Sequence, residues 1–267
     1  MISTMVLKFK KPIKILLIIL LWVGIWEALA FIINKPLLFP TPIAVMAKLF
    51  NLILTKVFWI NTVYSFGRVG IGIVIAMALG FIFGLICSFS KFAYEIIYPL
   101  VTVIKSTPVA SFIILIWIFI GNDSTPIVIS SLMVFPIVFS NIYRGMESVD
   151  TGLIEVCKIY NISKKKMISS LYVPSVLPYF SSALLSSIGL GWKAGIAAEV
   201  LCTPKKSIGL AIFEAKTYIE YVELFAWTVA VVVFSIVLEF LLTKLIKLLF
   251  KKYLILNGEK NGNQELK

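Results

Sequence analysis

The sequence predicts an all-α polytopic membrane protein with six transmembrane helices and both termini on the cytoplasmic side. Three observations lead there. Of the 267 residues, 60% are hydrophobic and the mean hydropathy is +1.01, well above a soluble domain, which is about half apolar. The apolar residues fall in long continuous runs rather than the alternating segments of about 10 residues that a membrane barrel needs. In lipid the backbone must satisfy its own hydrogen bonds, so such runs become helices. Finally, Lys and Arg are shared unequally between the two sets of connecting segments.

The first span is expected at 13–33, after a basic lead of Lys8, Lys10, Lys11 and Lys14. Ala28-x-Ala30 has the form of a signal-peptide cleavage site. The apolar stretch is too long for a signal peptide and continues past that site, so we read a retained helix. The second span, 64–89, places Arg68, Gly72, Ala76, Gly80, Gly84 and Ser88 four residues apart. A stripe of small residues lets helix backbones approach closely. Arg68 lies near its outer end, where it can snorkel, pair with an acid or face a solute path. The third and fourth spans, 100–120 and 125–143, are separated by the turn-forming sequence GNDSTP. Pro108 and Pro136 fall inside them, where proline bends a helix and frees carbonyls. The fifth and sixth spans are expected at 175–197 and 224–249. All six belong to one transmembrane domain covering 1–267, with an amphipathic outer segment at 207–225.

With the N-terminus inside, 17 Lys and Arg lie on the inner side and 6 on the outer. The inner set includes Lys91, Lys105, Arg144, Lys158, Lys164, Lys165, Lys166, Lys244, Lys247, Lys251 and Lys252. Much of the net charge of +12 is therefore an orientation signal rather than a nucleic-acid footprint. There is no histidine, which removes His-dependent zinc sites and Ser-His-Asp triads. Cys87, Cys157 and Cys202 fit no metal motif. An intramembrane enzyme is disfavoured for the same reasons, and no metal site or cofactor of this chain is expected.

The longest inner segment is 144–174. Within it TGLIEVCKIYN reads as a short amphipathic helix, with Glu155 and Lys158 on its polar edge. Asn161 follows the last turn and suits a left-handed cap. Ser163 can cap a second helix through KKKMISSLYV. Pro174 suits the start of the next element. Taken alone, the pattern also fits a helix pair lying on lipid headgroups.

This loop resembles the EAA loop of ATP-binding-cassette importer permeases. That motif is E-A-A, three residues, G, nine residues, then I-x-L-P. Glu155, Val156 and Cys157 stand at E-A-A, Asn161 at the glycine, and Leu171, Val173 and Pro174 at I-x-L-P. FPTPIAV (39–45), KSTPVASFIILIWIFIG (105–121) and GWKAGIAAEVL (191–201) resemble further family stretches in order, in the nitrate, sulfonate and taurine branch. The resemblance implies a type I importer permease fold in the bacterial cytoplasmic membrane. It also implies a second permease subunit, two ATPase subunits docked on the loop, and an external solute-binding protein. No G-x-x-x-x-G-K-[ST] phosphate loop occurs in the chain, so ATP is expected on a separate subunit and no catalytic residue here.

Ser175, Tyr179, Ser182, Ser186, Gly189 and Lys193 recur at helical spacing along the fifth span. They read either as a wetted path for a polar or anionic solute or as a packing stripe with Lys193 snorkelling. Ser182, Ser186, Lys193, Pro108 and Glu199 are the candidate path residues. An ion-coupled secondary transporter is the alternative, but it calls for mid-span coupling sites and inverted repeats. Carboxylates are scarce in mid-span, with Glu27 and Glu239 toward span ends.

Overall fold

The computed structural model describes the backbone of residues 2–262 and the side chains of Lys14, residues 17–246 and Leu248. Lys8, Lys10, Lys11, Lys247, Lys251 and Lys252, counted above as inner charges, have side chains outside the described residues. Caps and prolines divide the chain into α1 (Ile2–Ile33), α2 (Pro42–Ile53), α3 (Lys56–Phe89), α4 (Lys91–Ser106), α5 (Val109–Ile120), α6 (Thr125–Glu147), α7 (Thr151–Ile159), α8 (Lys164–Met167), a π-helical turn (Ile168–Tyr172), α9 (Val173–Cys202), α10 (Ile208–Thr217) and α11 (Tyr221–Gly262). Small oxygen-bearing side chains start several of these. Thr41, Thr55, Ser90, Asp150 and Ser207 each accept a hydrogen bond from a first-turn N–H, which satisfies a donor the helix cannot.

Among the described residues, four helices are long and apolar enough to cross a bilayer: Lys56–Phe89, Thr125–Glu147, Lys164–Cys202 and Tyr221–Ile246. They match the second, fourth, fifth and sixth expected spans. The third is corrected. Residues 100–120 are not one helix but parts of α4 and α5, bent by 106°. Thr107 and Pro108 are extended at the break, with ψ of 132° and 133°. Proline lacks the N–H that would continue the helix and drives the residue before it out of the α region. Pro136, by contrast, stays inside α6. Of the first span, the described apolar part is the shorter Leu17–Ile33. Helix α2 was not expected, although Thr41-Pro42 is a cap followed by proline at the first helical position.

The core is a three-helix contact of α3, α6 and α9, made close by missing side chains. A methyl group on Gly80 would lie 2.7 Å from Cβ of Val138, and one on Gly84 2.8 Å from Cβ of Ile142. The expected small-residue stripe of the second span is therefore a packing face against α6. Ser131 Oγ donates to the Gly72 carbonyl at 2.8 Å across that seam. Aromatic groups extend this core toward α11. Trp192 is buried between Phe66 and Phe234, with ring centroids at 4.6 and 6.3 Å. Its Nε1 donates to the Val231 carbonyl at 3.1 Å, tying α9 to α11. Helix α2 packs Val45 and Leu49 into the same core and pairs Lys48 with Glu223 at 2.8 Å. That hydrogen bond raises the Lys48 pKa above the ordinary lysine value.

Candidate functional site

Two candidate regions sit on this frame: the loop from α6 to α9, and the uncovered face of α9. The loop begins with Asp150, whose Oδ1 accepts from the Gly152 N–H at 2.8 Å. Helix α7 ends in a double-bonded cap. The Ile162 N–H donates to the Cys157 carbonyl at 2.9 Å, and the Asn161 N–H to the Lys158 carbonyl at 3.1 Å. Asn161 has φ of 50°. This is the Schellman arrangement, in which the residue after the cap turns left-handed, as the sequence led us to expect of Asn161. Ser163 precedes α8 but makes no side-chain cap bond.

Nothing in the described chain covers α7. Glu155 and Val156 are exposed and Cys157 is half-buried. Leu153, Val156, Ile159 and Tyr160 leave large apolar surface open, with Ile159 and Tyr160 each 75% exposed. A nine-residue helix with no buried residue is not held by tertiary packing, so its caps must fix its direction.

Pro174 stands in the first turn of α9, as expected. What the sequence did not show is that α9 continues α8 and the π turn, so that Lys164–Cys202 runs as one 39-residue rod. The rod accommodates the proline through the π turn just before it. The Val173 N–H reaches back to the Ile168 carbonyl, a wider step that relieves the clash of a proline ring with the preceding turn. Ser175 Oγ donates to the Leu171 carbonyl at 2.8 Å. Leu171 and Val173 therefore lie on one continuous helix, and α7 is joined to its N-terminal end.

On α9, Ser182, Ser186 and Lys193 are exposed, together with Pro178, Leu190 and Ala197. The rest of the expected stripe turns away. Ser175 and Tyr179 are half-buried, and Gly189 is buried against the Glu239 carboxylate. Pro108 is exposed at the α4–α5 break. Glu199 is fully buried and does not share the face of Ser182, Ser186 and Lys193. Its Oε2 accepts from Ser65 Oγ at 2.6 Å and from the Gly209 N–H at 3.3 Å. Its Oε1 lies 3.5 Å from Arg68 Nη1. Arg68 also donates to Asp123 Oδ1 at 2.9 Å and to the carbonyls of Lys205 at 2.8 Å and Lys206 at 3.1 Å. One arginine thus ties α3, the α5–α6 turn, the end of α9 and the approach to α10. Ser65 and Asp123 escaped the sequence reading, since no local pattern marks a partner 134 residues away.

Residues 72–254 match the family model described as "Binding-protein-dependent transport system inner membrane component". The chain belongs to that family. It is a permease component of a binding-protein-dependent importer and a multi-pass membrane protein, and its family implies ATPase and solute-binding partners. A Bacillus subtilis (strain 168) protein named for aliphatic sulfonates transport, the permease SsuC, is 24% identical over 217 residues, covering 80% of this chain and 77% of its own. The nitrate import permease protein NrtB of Synechococcus elongatus is 28% identical over 207 residues, covering 73% of each chain. The bicarbonate transport system permease protein CmpB of the same species is 30% identical over 160 residues, covering 59% and 57%. For a permease, the exposed α7 and the polar face of α9 are the two surfaces that call for a role.

Proposed function

We propose that the chain is a single transmembrane domain of six spans, with both termini inside, that pairs with a second copy in a bacterial cytoplasmic membrane. The first span and the α4–α5 pair complete the six. Helix α7 docks on a separate ATP-binding-cassette subunit, two of which serve the dimer, and Glu155, Val156, Cys157 and Asn161 form the contact. ATP binds only to that partner, and this chain holds no cofactor of its own. Closure of the ATPases pushes α7, and the rod carrying Leu171, Val173 and Pro174 transmits the push to the spans. This couples nucleotide to a two-state element. An external binding protein delivers the solute.

The observation that carries this reading is an exposed, capped helix at the E-A-A position, attached to one continuous 39-residue rod. The solute is a small polar anion that passes along Ser182, Ser186 and Lys193, with Pro108 providing room at the α4–α5 break and Glu199 holding the outer end of the path. Relatives named for sulfonates, nitrate and bicarbonate support the charge sign.

Co-expression with the cognate ATPase tests the coupling. The wild-type permease is expected to co-purify with it, and Glu155→Arg to lose it while remaining in the membrane. Uptake that persists without any ATPase would instead support the ion-coupled alternative.

A further inference from the structure

A cleft of about 470 Å³ opens between the inner end of α3 and the segment from α8 to the start of α9. That volume lies in the range of pockets that hold small organic ligands. Its walls include Leu85 and Phe89 of α3, Met167 of α8, and Val173 and Phe180 of α9. Lys164 is the charged residue of the lining, and Lys165 and Lys166 follow it in the chain. Among the described residues, no ion pair engages any of the three. The cleft does not share the face of α9 that carries Ser182 and Ser186. An apolar cleft with an unpaired cation at its lining, next to two more lysines at a span end, matches the two parts of a lipid. Hydrocarbon suits the cleft, and an anionic headgroup suits the lysines.

We propose that this cleft binds one anionic phospholipid, with an acyl chain between α3 and α9 and its phosphate on Lys164. The π turn supplies part of the wall, so the bound lipid braces the helix to which α7 is joined. Placement in the inner leaflet rests on the topology proposed above, but binding itself does not. ATPase co-purification and lipid retention can therefore fail separately.

The test is native mass spectrometry of the full-length permease, titrated with dioleoyl phosphatidylglycerol and, separately, dioleoyl phosphatidylcholine. The wild type is expected to retain the anionic lipid about five-fold more strongly, the effect of one lysine near a headgroup. Lys164→Glu is expected to abolish that preference while keeping the neutral lipid. Leu177→Trp, which fills the cleft, is expected to lower retention of both. Should that variant not fold, Val173→Phe at the same wall takes its place. Equal retention of the two lipids by the wild type would overturn the proposal. So would an unchanged ratio in Lys164→Glu, or a cleft closed to both lipids because a second copy covers it.

Discussion

Helices α9 and α11 each leave a long face uncovered by their own chain, and the two faces are built differently. On α11 the exposed residues are Val232, Val233, Ile236, Val237, Phe240 and Leu241. On α9 they are Pro178, Ser182, Ser186, Leu190, Lys193 and Ala197. The first face is bulky hydrocarbon and loses nothing against acyl chains. The second carries two hydroxyls and a charge. Hydroxyls and a charge find no partner in hydrocarbon, and polar residues within a bundle mark pathways or partners. Exposure in a single chain therefore has two meanings, and side-chain chemistry separates them. The opposite side of α9, with Trp192, Gly195 and Glu199, belongs to the packed core.

The largest effect is expected where α9 faces inward. Glu199→Ala removes the carboxylate that accepts from Ser65 Oγ and the Gly209 N–H, while Arg68 keeps Asp123 and two carbonyls. Two buried donors left without this acceptor are expected to destabilise the protein by about 2–6 kcal/mol, seen as a lower melting temperature in detergent. A melting temperature equal to wild type would mean that the node does not hold the outer end together. Next comes the lipid side. Val233→Lys puts a charge on α11 and is expected to cost about 3 kcal/mol of insertion, read as a fall in membrane-inserted protein. Normal insertion would show that this face of α11 does not meet hydrocarbon.

Lys193→Leu is expected to be milder in stability and sharper in transport. Uptake of the anionic solute should fall about ten-fold, the loss of one charge-assisted hydrogen bond, with an unchanged melting temperature. Unchanged uptake would place Lys193 outside the path. Thiol labelling draws the contrast without perturbing energies. In a background lacking Cys87, Cys157 and Cys202, Ser186→Cys should react with a water-soluble maleimide and Val237→Cys should not. Equal reaction of the two would erase the distinction between the faces. The smallest effect belongs to Ile236→Leu, expected within about 0.5 kcal/mol of wild type and without effect on uptake.

Much of the fold was readable because its causes are local. Four of the long helices coincide with apolar runs, and the left-handed turn at Asn161 follows from one residue with a short polar side chain after a helix. The stripe from Gly72 to Gly84 announced a close seam, and α6 fills it. The misreadings also have physical reasons. A bend at Pro108 was expected, but not that it would reach 106° and divide residues 100–120 between two helices, because hydropathy is blind to direction. Pro174 does stand in the first turn of α9, but a π turn joins α9 to α8 without a break, and no single residue announces that. Helix α2 was passed over because its cap signals lay in a segment read as a connection.

The candidate sites divide along the same line. The spacing from Glu155 to Pro174 is a property of the chain, and so are the polar residues spaced along α9. Which of those residues stay uncovered is not, since Gly189 and Ser182 share the pattern and only Ser182 is left open. By itself, the sequence determined that this is a helical membrane protein, where four of its long helices run, and which loop has the spacing of the EAA motif. Periodicity and turn chemistry act over a few residues, within reach of any reading along the chain. Tertiary structure alone decided that Glu199 meets Ser65 and Arg68, that α4 and α5 meet at 106°, and that a cleft opens beside α8 and the start of α9. Those outcomes depend on which faces of distant helices come together, and no local pattern encodes that.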